Sequence, residues 1–271
     1  MPDRKGSRVQ TLRTLATVVN RKSVLISALA FASTLICLKL GIVADFPLTL
    51  IATAIVFPLV FSISTAYNRR EKALEEYGSI RAHGRSIYLA ARDWLEKPQR
   101  PHRDQIRETL RQLLIACADL FTNPKAEALA HEARVYRCFS DLSEEIRKLR
   151  SDGMAPTEIS RCNQYLSRMM TGFENIKNIY DYRTPRSLRA FSDFFILLLP
   201  VLYGPYFAFQ ALNFRSELFW VMPVLFSLIL VGLANIQDQL ENPFDQIGED
   251  DVAIDPERFA HSLLVGESGQ P

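Results

Sequence analysis

Four long apolar stretches, grouped in two pairs, constrain this chain more than any other feature of its sequence. The first pair covers about Ser23 to Tyr67, and the second covers about Phe194 to Asn235. Residues 46–67, 194–214 and 218–237 contain no Asp, Glu, Lys or Arg. A bilayer core about 30 Å thick needs about 20 apolar residues in a helix. The sequence therefore predicts four transmembrane helices arranged as two hairpins.

The alternative is that these stretches are core helices of a large soluble domain. A hydrophobic share of 48% does not decide between the two, because soluble domains reach the same value. The concentration of the apolar residues in four long runs favours a membrane protein, since core helices of soluble proteins are usually shorter and amphipathic.

Basic residues predict the orientation of the hairpins. Six Lys or Arg residues lie within the first 22 positions, Arg69 and Arg70 follow the second stretch, and three Arg residues precede the third. Positive charge next to a membrane helix marks its cytoplasmic end. We therefore expect both termini in the cytoplasm, with a plasma or inner membrane as the location.

The predicted domain plan has five parts. They are a basic N-terminal segment at 1–22, transmembrane helices 1 and 2 at 23–67, a cytoplasmic domain at 68–189, transmembrane helices 3 and 4 at 190–237, and an acidic tail at 238–271.

The middle segment has the periodicity of packed helices. Apolar side chains recur there at helical spacing, as at Ile106, Leu110, Leu113, Leu114 and Cys117. Proline and glycine mark the breaks. We expect four helices, the first continuous with the second membrane helix, at about 68–95, 103–121, 126–150 and 157–182.

Catalytic signatures are missing from the sequence. It contains no phosphate-binding glycine loop, nucleophile elbow or His-Glu metal helix. The four cysteines are too scattered for a disulfide framework or a zinc site. A net charge of +2 gives no indication of nucleic acid binding. We predict a protein that is not an enzyme and whose partners are membrane lipid and small ions.

One face of the second membrane helix is a candidate for an ion path. Thr53, Phe57 and Phe61 recur every four residues, which places them on the same side of the helix. That side faces lipid or a neighbouring helix in the simpler interpretation. In the other interpretation it forms a hydrophobic constriction, which four helices cannot enclose but a ring of identical chains can.

The tail after the fourth stretch contains a second candidate site. Asp245, Glu249, Asp250 and Asp251 offer carboxylate oxygens at short spacing, the ligands that calcium prefers. Their spacing is not that of an EF-hand loop, and a solvated acidic turn is the simpler interpretation.

Several short motifs resemble the bestrophin family. Leu240-Glu241-Asn242-Pro243-Phe244, followed by acidic residues and Ile254-Asp255, is similar to the motif after the last membrane helix of bestrophins. The segment from Tyr67 to Ala73 with Gly78 resembles the family pattern past the second helix, and Thr184-Pro185 has a counterpart before the third. The two-plus-two topology extends the resemblance over nearly the whole chain.

The resemblance implies an all-α, homopentameric channel, mainly selective for chloride or other small anions, around one central pore. Counted back from Arg69, Phe61 takes the innermost neck position, Phe57 the middle one and Thr53 the outermost. The family usually has a large apolar residue at the outermost position, so Thr53 implies a wider or wetter outer neck. Arg186 takes the place of an apolar residue at the cytoplasmic aperture, where a ring of Arg would attract anions.

The resemblance allows two alternatives for calcium, and the sequence allows two for the function. Animal bestrophins hold calcium with the acidic tail, whereas bacterial members need not, so calcium is a possible ligand and no other cofactor is expected. The competing hypothesis for the function is a non-conducting membrane scaffold or sensor whose middle domain binds a partner.

Overall fold

The structure is a computed structural model that describes residues 19–46, 48–95, 100–123, 127–182, 186–214, 220–241, 243–244 and 251–265. Only the backbone is described at 48, 50, 100, 186–188, 192 and 214. Within these residues every regular element is a helix. The helices are α1 (Arg21–Leu40), α2 (Leu48–Asp93), α3 (Arg100–Thr122), α4 (Ala128–Ser151), α5 (Pro156–Asp181), α6 (Arg186–Leu202), α7 (Gly204–Phe214), α8 (Met222–Glu241) and α9 (Pro256–Leu264).

Four helical stretches are long and apolar enough to cross a membrane. They are Arg21–Leu40, Ile51–Asp93, Arg189–Asn213 and Met222–Glu241. They coincide with the four apolar runs of the sequence, and we conclude that the chain is a membrane protein. The second run continues without a break into the first helix of the middle segment, as the sequence predicted.

The chain divides into two compact units. Residues 1–69 and 183–242 form the first, which we call the membrane unit, and residues 70–182 and 243–271 form the second, the helical domain. Helix α2 contributes its first part to the membrane unit and the remainder to the helical domain.

The membrane unit is built around α1, which packs against α6, α7 and α8. Two small apolar clusters lie inside the unit. The first contains Ile26, Leu59, Ile196, Val231 and Ala234, and the second contains Ile55, Leu199, Tyr203, Phe207 and Leu230.

The third apolar run is one membrane span, as the sequence predicted, but its helix is interrupted at Tyr203, which the sequence did not predict. Helix α6 ends at Leu202 and α7 begins at Gly204. Pro205 has no N–H to donate to the carbonyl of Val201, one helical turn earlier. The hydroxyl of Ser33 on α1 donates to that carbonyl instead, at 2.7 Å. The break therefore has a polar partner inside the unit, as a membrane interior requires.

The helical domain has one large core. Helices α3 and α4 pack together, α5 packs against α4, and the tail helix α9 packs against α3. Aromatic rings meet at the centre of the core, where Phe173 contacts the rings of Phe121, Tyr136 and Phe139. Gly172 lets α5 approach α2 closely, because a Cβ there would lie 3.1 Å from Cγ1 of Ile80.

Candidate pore-lining helix

The membrane part of α2 has one buried face and one exposed face. Ile55, Leu59, Ser62 and Ala66 recur at intervals of three or four residues and are buried inside the membrane unit. Thr53, Phe57 and Phe61 lie on the other side and are exposed. The structure thus places the three predicted residues together, on the face that the unit itself does not cover.

Phe57 and Phe61 form an aromatic pair on the exposed face. Their ring centroids are 4.6 Å apart and the rings are inclined at 79°, so one ring meets the other edge to face. The rings are 61% and 56% exposed. Ring edges carry partial positive charge, so an edge turned towards an anion attracts it weakly.

Pro58 lies inside α2, directly after Phe57. It has no N–H for the carbonyl of Ala54, and its ring crowds that carbonyl. One helical hydrogen bond is therefore missing beside the aromatic pair. Proline is tolerated in membrane helices where neighbouring polar groups or water compensate for the lost bond.

Polar contacts tie α1, α6 and α8 together at one end of the membrane unit. The amide of Asn20 donates to the side-chain carbonyl of Asn235 at 3.1 Å, and the amide of Asn235 donates to the hydroxyl of Ser23 at 3.2 Å. The guanidinium of Arg189 pairs with Asp238 at 2.8 Å and with the buried carboxylate of Glu241 at 2.7 Å.

Sequence reasoning counted Arg189 only as a basic flank of a membrane helix. Asp193, four residues further along α6, lies 4.0 Å from its guanidinium, a spacing that the sequence shows. The closer carboxylates, of Asp238 and Glu241, lie in α8, far along the chain, and no local pattern relates them to Arg189. Arg186 begins α6, but its side chain lies outside the described residues, so its place at a pore mouth stays a prediction.

The tail motif after α8 is anchored in the helical domain. Phe244 is 1% exposed, and its ring stacks on Phe121 with centroids 4.9 Å apart. The carbonyl of Pro243 accepts a hydrogen bond from the N–H of Val252 at 2.8 Å. This bond brings together the two ends of the acidic segment 244–251.

Most of the candidate calcium ligands lie outside the described residues. These are Asp245, Glu249 and Asp250, whereas Asp251 is described at a partly exposed bend. In the part of the chain that the structure describes, no group of three or more His, Cys, Asp or Glu side chains is placed to hold a metal ion. The calcium site therefore stays a prediction.

The cysteines of the helical domain are part of its apolar packing. Cys117, Cys138 and Cys162 are buried and free. Burial raises the pKa of Cys117, and it raises the pKa of Cys162 to about 11. These thiols stay protonated at neutral pH and behave as small apolar side chains.

Comparisons with known proteins give likenesses in structure alone. No protein-family model matches the chain, and no curated protein matches it in sequence. A bacterial bestrophin homologue from Klebsiella pneumoniae superposes with a TM-score of 0.75 at 18% identity, covering 94% of this chain and 98% of that one. A single-substitution variant of that homologue gives a TM-score of 0.77 at 18% identity, covering 92% and 100%. A crystal structure described as a variant of a membrane protein gives 0.78 at 18% identity, covering 93% and 100%.

These likenesses extend over nearly the full length of both chains. They confirm the fold that the sequence motifs implied, although identity in sequence is low. The chain has the fold of the bacterial bestrophin homologues.

Proposed function

We propose that the protein is a bestrophin-like ion channel that conducts small anions, chloride above all, through a pore lined by α2. The exposed face with Thr53, Phe57 and Phe61 is the observation that carries this proposal. Large aromatic side chains are left uncovered on a helix whose opposite face is fully packed. A central pore accounts for that exposure, because it requires one face of α2 to remain free within each subunit.

Five copies of the chain assemble around the pore in this proposal. A single chain has too few membrane helices to enclose a path, whereas a closed ring of identical chains brings five α2 helices together. Each Phe57 and each Phe61 then contributes to an apolar ring. Such rings form a narrow neck that an ion crosses with little of its water.

The ends of the proposed neck differ in chemistry. Thr53 adds a ring of hydroxyl groups at the outer end, where water and ions enter. Both termini and the helical domain lie in the cytoplasm, and Arg186 lies near the cytoplasmic mouth, where its charge would concentrate anions. The lipid bilayer covers the outer surface of the membrane unit, and the plasma or inner membrane is the location.

The test begins with the purified protein. Its subunit count is measured by native mass spectrometry, and halide flux is measured after reconstitution into liposomes. We expect a pentamer that releases trapped chloride. A monomer, or a pentamer without ion flux, contradicts the proposal and favours the non-conducting scaffold.

The neck is then tested by the double variant Phe57→Ala with Phe61→Ala. Removing both rings widens the constriction, so we expect a changed unitary conductance or a changed permeability ratio between chloride and larger anions in bilayer recordings. Phe194→Ala is the matched control, because Phe194 is 58% exposed and also contacts a second ring, that of Phe195. Unaltered currents in the double variant, or equal changes in the control, contradict the assignment of the neck.

A further inference from the structure

We propose that Ser64 and Asn68 form a second, hydrogen-bonding part of the pore directly after the aromatic pair, where an ion leaving the neck regains donors. This inference rests on the proposed channel function and extends it to two residues that follow Phe61 on α2. Their role is to determine which anions pass, by donating hydrogen bonds to an anion that has lost part of its water.

Helical geometry places both residues on the face of Phe57. Each residue turns an α-helix by about 100°. Ser64 and Asn68 follow Phe57 by seven and eleven positions, and each therefore lies within about 20° of it around the helix axis. Phe61 lies about 40° away on the same side. The exposed face of α2 thus continues past the aromatic pair as a polar face.

The side chains of Ser64 and Asn68 are open to the outside of the unit. Both are exposed. Among the described residues, neither the Ser64 hydroxyl nor the Asn68 amide has a hydrogen-bonding partner. A serine in a helix often bonds back to the carbonyl one turn earlier, which would occupy its proton. In Ser64 that proton remains available to a ligand.

Thr65, the next residue, provides the contrast. Its hydroxyl donates to the carbonyl of Phe61 at 2.9 Å, so its proton is already used. It also lies about 80° from Phe57 around the axis. The two neighbouring hydroxyl residues therefore differ in their position around the helix axis and in whether the hydroxyl proton is free to bind a ligand. Ser64 is the donor on the pore face.

The chemistry of these groups fits an anion that leaves an apolar constriction. The rings of Phe57 and Phe61 offer no N–H or O–H donor, so an ion between them has exchanged water for weak contacts. At a rise of 1.5 Å per residue, Ser64 lies about 4.5 Å beyond Phe61 along the helix axis, and Asn68 lies about 6 Å further. A serine hydroxyl offers one donor and an asparagine amide offers two. Neutral donors at two successive levels hold an anion weakly enough to release it.

The experiment uses the full-length protein reconstituted in planar bilayers, with Ser64→Ala and Asn68→Leu as variants and Thr65→Val as the matched control. Permeability is measured for chloride and for thiocyanate, which holds its water less strongly. We expect each variant to lower the chloride-to-thiocyanate permeability ratio by about five-fold, the factor that corresponds to one lost hydrogen bond. Thr65→Val should leave the ratio unchanged. Native mass spectrometry of each variant confirms that the assembly is retained.

The outcomes separate this inference from the proposed channel. An unchanged ratio in both variants, or an equal shift in Thr65→Val, overturns the role of Ser64 and Asn68 while chloride currents and the effect of Phe57→Ala with Phe61→Ala remain. Selectivity of the wild-type channel for cations also overturns it, because the role proposed for both residues is to donate hydrogen bonds to an anion. Absence of any current from the wild-type protein rejects the channel itself.

Discussion

The two units of this chain use their large apolar side chains in opposite ways. In the helical domain, Tyr88, Phe139 and Phe173 are fully buried in one continuous core. In the membrane unit, Phe57 and Phe61 are more than half exposed. The helical domain therefore satisfies its apolar surface within one chain. The membrane unit leaves apolar surface uncovered, which lipid covers in a membrane and which, in the proposed channel, also meets neighbouring subunits and the pore.

The interactions that hold each unit together differ accordingly. Burial of apolar surface drives packing only where the alternative is water, and lipid removes that driving force between membrane helices. The membrane unit depends on close approach and polar contacts instead, as at Gly204 with Ser33 and at Asn20 with Asn235. The comparison predicts that the two units respond differently to the same kind of substitution.

The largest difference is expected for phenylalanine. Phe173→Ala leaves a cavity at the centre of the aromatic cluster, and such a change typically lowers the free energy of unfolding by about 3–5 kcal/mol. Phe57→Ala removes an exposed ring and should change it by less than about 0.5 kcal/mol. Thermal unfolding of detergent-solubilised protein, followed by near-ultraviolet circular dichroism, measures both variants. A loss of stability in Phe57→Ala as large as that in Phe173→Ala would show that the exposed face of α2 is packed, and would remove the contrast between the units.

Glycine gives a second and smaller contrast. A Cβ at Gly204 would lie 2.3 Å from Oγ of Ser33, so Gly204→Ala forces α1 and α7 apart and should cost about 1–3 kcal/mol. A Cβ at Gly78, on the part of α2 in the helical domain, would meet nothing within 4 Å. Gly78→Ala should therefore leave stability unchanged or raise it by about 0.5–1 kcal/mol.

Ser33→Ala shows whether the contact with the hydroxyl is the cause. The same thermal unfolding measurement is applied to Gly204→Ala alone and in a Ser33→Ala background. We expect a smaller cost in that background, because the clashing oxygen is gone, and hence non-additive effects. Additive costs would mean that the hydroxyl is not the cause and that the carbonyl carbon and Cβ of Ser33, each 3.1 Å from the added Cβ, limit the approach instead.

Much of the fold follows from local sequence patterns. Uncharged runs encode the membrane helices directly, and the helical period places α3, α4 and α5 close to their observed bounds. The break between α6 and α7 did not follow, although Pro205 is a visible signal. Pro58 and Pro200 lie inside helices that continue. Whether a proline ends a membrane helix depends on which groups surround it, and Ser33 supplies that group from a distant part of the chain.

The candidate site was predictable to a similar extent. A spacing of four residues was enough to place Thr53, Phe57 and Phe61 on one face of α2. That this face is the uncovered one depends on the packing of Ile55 and Leu59 against other helices, which the sequence does not reveal. The difference between Ser64 and Thr65 depends on a single hydrogen bond and could not be predicted from residue types.

The smallest effect is expected at the helix caps, where the same loss can be compared in both units. Asp255 caps α9 of the helical domain by accepting a hydrogen bond from the N–H of Arg258 at 2.9 Å. Asp255→Ala should cost about 1 kcal/mol and act locally, because Phe259 and Leu263 keep α9 anchored by burial.

Asn20 caps α1 of the membrane unit in the same way, by accepting from the N–H of Ser23, but it also donates to the buried side chain of Asn235. Asn20→Ala should therefore cost more, since it removes a hydrogen bond to the buried side chain of Asn235 in addition to the cap. Hydrogen–deuterium exchange measured by mass spectrometry distinguishes the two effects: faster exchange confined to residues 256–264 for Asp255→Ala, and faster exchange in both α1 and α8 for Asn20→Ala. Equal, purely local effects would mean that the polar contact between α1 and α8 contributes nothing to the membrane unit, and that its helices are held by lipid and neighbouring subunits alone.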